Sequence, residues 1–240
     1  MYNETKSILK ESKYIEYTYS NKIAPPGAYP DLLSNWLLKN VYKRTGKIID
    51  FGCGRGDYLE AFEKLQFQSY GLDISPSIED LSDYTVERMN FEKDELPFPK
   101  ESFDFVFSKS VIEHLHEPHY FLKGIYDSLK SGGKAVVMTP SWAHTYWGPF
   151  YIDHTHVSPY TLFSLKSALE MEGFKNVKVM YFYQLPFLWR FPWLKIFVKL
   201  FAKLPLPYKP YHDVPWSISN RYNKLVRFSK EVMLLAIVEK

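Results

Sequence analysis

The chain has 240 residues, of which 46% are hydrophobic and 24% are charged, a composition typical of a protein with one well-buried core. Its single cysteine, Cys53, excludes an internal disulfide and indicates a reducing compartment. The first residues show no apolar signal-peptide run and no stretch of about 18 apolar residues follows, so we expect a cytoplasmic protein with a small net charge of +3.

Short apolar runs alternate along the chain with amphipathic segments. A helix is predicted over Asp31–Tyr42, with Asp31 as its N-cap. The predicted strands are Lys47–Phe51, Ser69–Leu72, Thr85–Met89, Phe103–Ser108, Lys134–Thr139, Val177–Tyr183 and Glu231–Glu239. The predicted helices between them are Tyr58–Leu65, Ile78–Leu81, Pro118–Leu129 and Pro159–Gly173. This alternation indicates an α/β fold with a mainly parallel sheet.

Local signals place two helix ends and one long connection. The Ser131-Gly132-Gly133 run is typical of a helix stop, and Ser158 followed by Pro159 is typical of a helix start. We predict a single domain in which residues 1–46 form an N-terminal cap and residues 47–183 and 231–240 form the core. Residues 184–230 are then a 47-residue insertion before the last strand, far longer than a usual connection.

A glycine-rich loop follows the first predicted strand, with the sequence Asp50-Phe-Gly52-Cys-Gly54-Arg-Gly56. Glycines allow a tight turn and bring backbone N–H groups against a ligand at a helix N-terminus. Position 57 is Asp, where a dinucleotide-binding fingerprint has glycine. The acid at Asp50 favours a ligand with an ammonium group, and Asp73, after the second strand, is placed to bind a ribose diol.

These motifs closely resemble the class I S-adenosylmethionine-dependent methyltransferases. The resemblance runs from about Lys47 to Lys175, and it implies a Rossmann-like, doubly wound sheet of seven strands whose last strand is antiparallel. It also implies S-adenosyl-L-methionine as the cofactor. By the resemblance, the methionine end meets Asp50 and the loop, the ribose meets Asp73, and Ser108 lies beside the sulfonium. The full set of expected cofactor-binding residues is Asp50, Gly52, Cys53, Gly54, Gly56, Asp73, Ile74, Asn90, Phe91 and Ser108.

Two histidine-bearing segments are candidates for the acceptor site. Glu113-His114 follows the fourth strand and is similar to a pair common in the family. The run from Asp153 to Tyr160 resembles one found in bacterial methyltransferases linked to surface polysaccharides, and His156 matches its histidine. A histidine can accept a proton near neutral pH, so His156 and His114 are the predicted catalytic residues. His156 could instead hold its loop by a hydrogen bond.

Metal binding is the remaining alternative at this segment. Asp153, His154 and His156 offer suitable ligand atoms, but alternating residues in a loop are weak evidence without a further ligand. We therefore predict no metal site.

The insertion is basic and aromatic. Between Arg190 and Lys230 there are nine basic residues and one acid, Asp213. Residues 187–205 place a lysine at every fourth position on an apolar background, which predicts a helix with one lysine stripe. Such a helix suits a lid over the acceptor, a homodimer contact, or peripheral contact with the inner face of the membrane. No nucleic-acid-binding module is recognised, so we expect no nucleic-acid partner.

The function implied by this resemblance is O-methylation of a small, sugar-like acceptor, nucleotide- or lipid-linked, in cell-surface polysaccharide assembly. An enzyme that methylates nitrogen, or a quinone or other lipid-like aromatic, would use the same cofactor residues. A cofactor-binding subunit without catalytic activity, acting as a scaffold, is an alternative of another class.

Overall fold

The computed structural model describes residues 27–209 and 221–240. Within them a single seven-stranded sheet has the strand order β3-β2-β1-β4-β5-β7-β6. The strands are β1 (Lys47–Phe51), β2 (Gln68–Asp73), β3 (Thr85–Arg88), β4 (Phe103–Lys109), β5 (Leu129–Pro140), β6 (Lys175–Phe182) and β7 (Met233–Glu239). The predicted seven-stranded α/β sheet is therefore confirmed, with most strand ends shifted by a few residues.

Helices connect the strands. The α-helices are α1 (Tyr29–Leu37), α2 (Asp57–Glu63), α3 (Pro118–Ser128), α4 (Trp142–Thr145), α5 (Leu162–Met171), α6 (Pro186–Arg190), α7 (Lys195–Ala202) and α8 (Arg221–Lys230). A π-helical turn continues α1, and 3-10 turns occupy Pro76–Asp80, Ile112–His114, Pro149–Ile152 and Pro192–Leu194. The helix predicted over 78–81 is the first of these 3-10 turns.

The pairing of the strands fixes where a ligand can bind. β2 and β4 pair in parallel with β1 on its two sides, and β5 pairs in parallel with β4. β7 lies antiparallel between β5 and β6, which confirms the predicted antiparallel last strand. The strand order reverses between β1 and β4, and in open α/β sheets ligands bind beyond the carboxyl ends of the strands at this point.

The central strands are buried on both faces, as strands of parallel sheets are when helices cover them, whereas the edge strands β3 and β6 are more exposed. In β1, Ile49 and Phe51 point to one hydrophobic cluster, while Ile48 points to the other. The second cluster is closed by Leu33 and Leu37 of α1. Because side chains alternate along a strand, the five residues of β1 contribute to both hydrophobic clusters. The glycine loop follows directly after them.

Two predicted N-caps are wrong. α1 is capped by Ala28 with proline in its first turn, so Asp31 lies inside the helix. α5 begins after Thr161, which forms a reciprocal capping box with Ser164. The hydroxyl of Ser158 instead donates to the carbonyl of Leu115 at 2.7 Å. This hydrogen bond ties the chain before α5 to the loop after β4.

The predicted helix stop at Ser131-Gly132-Gly133 is also wrong, because α3 ends at Ser128 and these residues already belong to β5. The register of β5 against β4 shifts between Phe103 and Phe105, opposite this run. Gly132 has a φ of +73°. A Cβ on Gly133 would lie 2.9 Å from the carbonyl oxygen of Lys130. The glycines therefore permit an irregularity in the strand.

The described part of the connection between β6 and β7 contains α6, a 3-10 turn, α7 and α8, and residues 210–220, with Asp213, lie outside the described residues. The single helix predicted over 187–205 is instead split into α6, a 3-10 turn and α7, because Pro192 interrupts the hydrogen-bond ladder. Trp189 packs on Trp36 and Phe182, which joins α6 to the core. Of the predicted N-terminal cap, residues 1–26 likewise lie outside the described residues.

Candidate functional site

The glycine loop and the end of β2 meet at the carboxyl edge of the sheet. Asp73 is 7% exposed, and its carboxylate accepts hydrogen bonds from the backbone N–H groups of Gly54 at 2.8 Å and Ser75 at 2.9 Å. Burial raises the pKa of Asp73, and these backbone donors partly oppose that shift. The carboxylate is thus fixed beside the loop in one orientation, where it can accept further hydrogen bonds.

Positive φ angles explain why glycine occupies the loop. Gly52 has a φ of +92°, and a Cβ there would lie 2.1 Å from the Cγ2 of Val111, so no side chain fits. Gly54, with a φ of +52°, has no atom within 4 Å of the place of its missing Cβ. The loop is therefore packed against the protein at Gly52 and open at Gly54, as a backbone cradle for a ligand requires.

Asp50 lies beneath this loop with its side chain 2% exposed. Burial, and then the charge of Asp73, raise its pKa well above the ordinary value. Among the described residues its Oδ1 atom has no hydrogen-bond partner. A buried acceptor without a donor costs stability, so this atom fits a ligand that brings a positively charged donor, such as an ammonium group.

Three of the predicted cofactor-binding residues have side chains that are buried against other parts of the protein. Ser108 is buried and its hydroxyl donates to the carbonyl of Phe51 at 2.7 Å. Phe91 is 5% exposed and stacks on Phe51 with ring centroids 5.6 Å apart. Cys53 is buried and faces Gly71, and burial raises the pKa of its thiol, which disfavours the reactive thiolate.

Ile74 and Asn90 keep partly exposed side chains near the same edge. The backbone carbonyl of Ile74 accepts from Arg88 Nε at 2.8 Å, and the Asn90 side-chain oxygen accepts from the N–H of Glu92 at 3.0 Å. Both loops are held in place by these contacts, and the amide nitrogen of Asn90 is still a hydrogen-bond donor.

The two predicted catalytic histidines lie together. His114 ends the 3-10 turn after β4, His156 lies in the loop after β5, and their ring centroids are 4.7 Å apart. The backbone carbonyl of Glu113 accepts from the N–H groups of Val157 and Ser158, each at 2.9 Å. This link holds the two loops together, although the histidines are far apart in sequence.

Hydrogen bonds decide which ring nitrogen of each neutral histidine carries the proton. His156 Nδ1 is 2.6 Å from the carbonyl oxygen of Phe150, and a carbonyl can only accept. The hydroxyl of Thr155 donates to Asp153 at 2.6 Å, so it accepts from His114 Nδ1, 2.8 Å away. In both neutral rings the proton is therefore on Nδ1, and Nε2 is the basic atom.

Glu113 completes this cluster, and its side chain is fully buried. Its Oε2 accepts from the hydroxyl of Thr139 at 2.9 Å, while Oε1 has no hydrogen-bond partner among the described residues. Burial raises the pKa of Glu113 to about 7. Burial, and then the nearby His156, lower the pKa of His114 to about 4, so His114 is neutral at pH 7.

The metal-ligand set considered from the sequence is not the one that the fold brings together. His154 is exposed, whereas ligand atoms of Glu113, His114 and His156 all lie within 4.8 Å of one another. Bonds of about 2.0–2.2 Å would bring such ligands to roughly 3.5 Å from one another, closer than that spread. Binding of a metal ion would require these side chains to converge, and direct proton transfer between two of them would require hydrogen-bond distance as well.

Glu113 and His114 should change the stability of the fold in opposite directions between pH 7 and 4.5. The folded protein keeps the Glu113 proton up to about pH 7, whereas the unfolded chain loses it from pH 4.5, so this stabilisation is lost as pH rises. The pKa of His114 falls from 6.5 to about 4, so its contribution is lost as pH falls. Each shift corresponds to about 3 kcal/mol at most.

We therefore expect the unfolding free energy of Glu113→Gln, relative to wild type, to drop as pH falls from 7 to 4.5. That of His114→Asn should rise over the same range. Urea unfolding at the two pH values measures both, and the other carboxylates cancel in the comparison with wild type. Two variants with the same pH dependence as wild type would show that neither group is buried as described.

Aromatic side chains follow the end of β5, and one of them, Phe150, packs on His156 with ring centroids 4.8 Å apart. Trp142 contacts the buried ring of Phe150 edge-on, with centroids 5.4 Å apart. The rings of Tyr146, Trp147 and Tyr151 are 61%, 54% and 57% exposed. Large exposed rings beside a polar cluster can cover the apolar face of a sugar or of a planar ring.

Comparison with known proteins identifies the family. The family model described as a methyltransferase domain matches residues 24–179. A demethylmenaquinone methyltransferase from Lactobacillus johnsonii is 28% identical over 198 residues, which are 67% of this chain and 81% of that protein. A ubiquinone biosynthesis O-methyltransferase from Rhodopseudomonas palustris is 35% identical over 107 residues, 39% of each chain. The chain thus matches well under half the length of the second relative.

The fold is also found among solved structures. The crystal structure of an S-adenosylmethionine-dependent methyltransferase from Archaeoglobus fulgidus superposes with a TM-score of 0.60 over 88% of this chain and 94% of that one, at 22% identity. The chain belongs to the methyltransferase-domain family, and its fold is that of the class I S-adenosylmethionine-dependent methyltransferases.

Proposed function

We propose that the chain transfers the methyl group of S-adenosyl-L-methionine to a hydroxyl oxygen of a small, glycan-like acceptor that is nucleotide- or lipid-linked. The observation that carries this proposal is the His114–His156 pair, in which Nδ1 of each ring takes part in a hydrogen bond and Nε2 is the nitrogen that would accept a proton. A hydroxyl acceptor loses its proton when the oxygen is methylated, so a nearby base that accepts this proton assists the transfer. The pair follows β4 and β5, next to the strand that carries the glycine loop.

The cofactor supplies an electrophilic methyl group on a sulfonium sulfur. We assign Asp50 Oδ1 to its ammonium group, because that buried acceptor has no hydrogen-bond partner among the described residues. Asp73 accepts from the ribose hydroxyls, and Gly54 lets the backbone approach the ligand. Ile74 and the Asn90 side chain border the adenine, with Phe91 behind them as packing; Gly52, Cys53, Gly56 and Ser108 shape the loop and the strand end.

His156 is the proposed base. Its Nδ1–H donates to the carbonyl of Phe150 at 2.6 Å, which orients Nε2 and stabilises the positive ring formed on proton uptake. His114 lies beside it as a second neutral ring, positioned through Thr155 and Asp153. Beyond this proton transfer, the protein has only to align acceptor and methyl group in line and to exclude water.

A second acceptor class is a reduced quinone or another lipid-like aromatic. It is favoured by the exposed rings after β5 and by the names of the two relatives, a demethylmenaquinone methyltransferase and a ubiquinone biosynthesis O-methyltransferase. A phenolic hydroxyl would use the same base. The glycan-like and quinol-like acceptors therefore differ in what packs on Tyr146, Trp147 and Tyr151, while the base is common to both.

An acceptor panel separates the candidates. The purified chain is incubated with labelled S-adenosylmethionine and sugar nucleotides, lipid-linked sugars, quinols or amines, and methylated product is located by mass spectrometry. We expect transfer to oxygen of one sugar class. Transfer only to a quinol would replace the acceptor assignment, and transfer to nitrogen would remove the need for the base. Cofactor binding without transfer to any acceptor would favour a scaffold.

A further inference from the structure

Helix α7 and the turn before it expose a continuous apolar stripe. Trp193, Ile196, Phe197, Leu200 and Leu204 are 63%, 66%, 60%, 57% and 49% exposed. Their spacing of three and four residues places them on one side of the helix. In the described part of the chain, no helix is both long enough and apolar enough to cross a bilayer. An apolar stripe of this kind on a short helix suits a surface that it enters only partly.

The opposite side of α7 is packed, so the helix has a defined orientation. Val198 is 7% exposed and belongs to a cluster with Leu188 of α6 and Phe228 of α8. The same cluster contains Tyr183, which follows β6. The exposed stripe is therefore held outward by a small core of its own, joined to the main sheet.

Positive charge borders this stripe. Lys195, Lys199 and Lys203 form a neighbouring row at intervals of four, and Lys199 and Lys203 are exposed. The described residues between β6 and β7 contain no acid before Glu231, at the end of α8. Lysines with apolar stems and charged ends beside aromatic rings match the boundary between acyl chains and anionic headgroups.

The stripe adjoins the acceptor side of the site. Burial, and then the charge of Lys199, lower the pKa of His144, which lies in the helix that follows β5. Tyr208, beyond α7, meets the exposed Trp147 with ring centroids 6.2 Å apart. A membrane bound by α7 would therefore lie near Trp147, one of the exposed rings that follow β5.

We propose that α7 binds the surface of an anionic lipid membrane, with Ile196, Phe197 and Leu200 entering the headgroup region and Lys199 and Lys203 contacting lipid phosphates. Ile196, Leu200 and Leu204, three of the five stripe residues, give no stacking surface to bases, so the stripe fits lipid better than nucleic acid. A second copy would place like-charged lysine rows face to face. Membrane binding does not depend on which acceptor is methylated, and it would bring the site to lipid-linked acceptors.

The test is co-sedimentation of the full chain with vesicles made of equal parts phosphatidylcholine and phosphatidylglycerol, without cofactor or acceptor. The apolar variant is Ile196→Ser with Phe197→Ser and Leu200→Ser, and the charge variant is Lys199→Glu with Lys203→Glu. Each surface lysine contributes about fivefold to binding, so the charge variant should bind at least about 25-fold more weakly. Raised salt should weaken binding of the wild type.

Matched control residues lie on α5 and β6, outside the apolar stripe and its lysine row. Phe163 and Met171 of α5 are 81% and 85% exposed, and Lys178 is exposed in β6. Phe163→Ser with Met171→Ser, and Lys178→Glu, should bind vesicles as the wild type does. Equal binding by the α7 variants and the wild type would overturn the proposal, as would equal binding to pure phosphatidylcholine.

Two further readouts separate the alternatives. If the wild type is a dimer that the apolar variant converts to a monomer, and neither binds vesicles, the stripe is a contact between copies and the membrane proposal is wrong. Turnover of a water-soluble acceptor should be unchanged in the α7 variants. A loss of that turnover with normal vesicle binding would contradict membrane binding as the role of α7, while absent turnover in the wild type concerns the methyl transfer alone.

Discussion

Replacement of His156 by alanine should slow methyl transfer by about 10²–10⁴-fold, the range typical of a lost general base, while cofactor affinity stays near that of the wild type. The imidazole accepts the hydroxyl proton at Nε2, and the hydrogen bond from Nδ1 to the carbonyl of Phe150 fixes its orientation. Single-turnover assays at saturating cofactor measure the effect on the chemical step. His154→Ala is the matched control, because His154 is exposed in the same loop.

A second variant separates catalysis from loop structure at the same position. His156→Asn keeps an N–H group that can donate to the Phe150 carbonyl, but it has no basic nitrogen. If His156 is the base, the asparagine variant should be as slow as the alanine variant. If His156 only holds its loop, asparagine should restore activity, and the base assignment would be wrong.

Replacement of Asp73 by alanine should weaken binding of S-adenosylmethionine by roughly 5- to 150-fold, equivalent to about 1–3 kcal/mol. The variant removes the acceptor for the ribose hydroxyls and leaves the N–H groups of Gly54 and Ser75 without their carboxylate. Calorimetric titration measures affinity, and thermal unfolding checks that the loop still folds. Asp73→Asn keeps one carboxamide oxygen and should lie between alanine and wild type. An unchanged affinity in Asp73→Ala would remove Asp73 from the site.

Local sequence signals predicted the first strand, the glycine loop after it and the position of Asp73 at the end of the second strand. The run from β1 through the glycine loop to Asp73 is short. The positive φ of Gly52 is a local restriction that favours glycine, whereas the contact with Val111 that excludes a side chain there comes from a distant segment. A pattern of apolar strands, glycines and two acids therefore sufficed to predict the fold and the place of the loop.

The acceptor half depends on contacts between distant segments, which the sequence does not display. The carbonyl of Glu113 holds Val157 and Ser158, and this contact moves the start of α5 from the predicted Ser158 to Thr161. The same contact brings His114 to His156, so both candidates were named from the sequence but their pairing was not. The burial of the Glu113 carboxyl group was not predicted either, because only the fold shows which side chains cover it.

Packing and a proline account for two further differences between the sequence-based expectations and the structure. Phe91 was expected at the adenine edge, but stacking on Phe51 buries most of its ring. The lysine spacing of the insertion predicted one helix, but Pro192 divides it, and Trp189 anchors the first part to the core. The lysine row and the apolar stripe survive on α7 because they lie after that break.

The most direct test of the central claim, that this loop binds S-adenosyl-L-methionine for methyl transfer, is the same titration on the wild-type chain. We predict that the cofactor and its demethylated product each bind at one site per chain, with the affinity of both reduced in Asp73→Ala. Absence of binding by both cofactor forms, in a chain shown to be folded, would contradict the account.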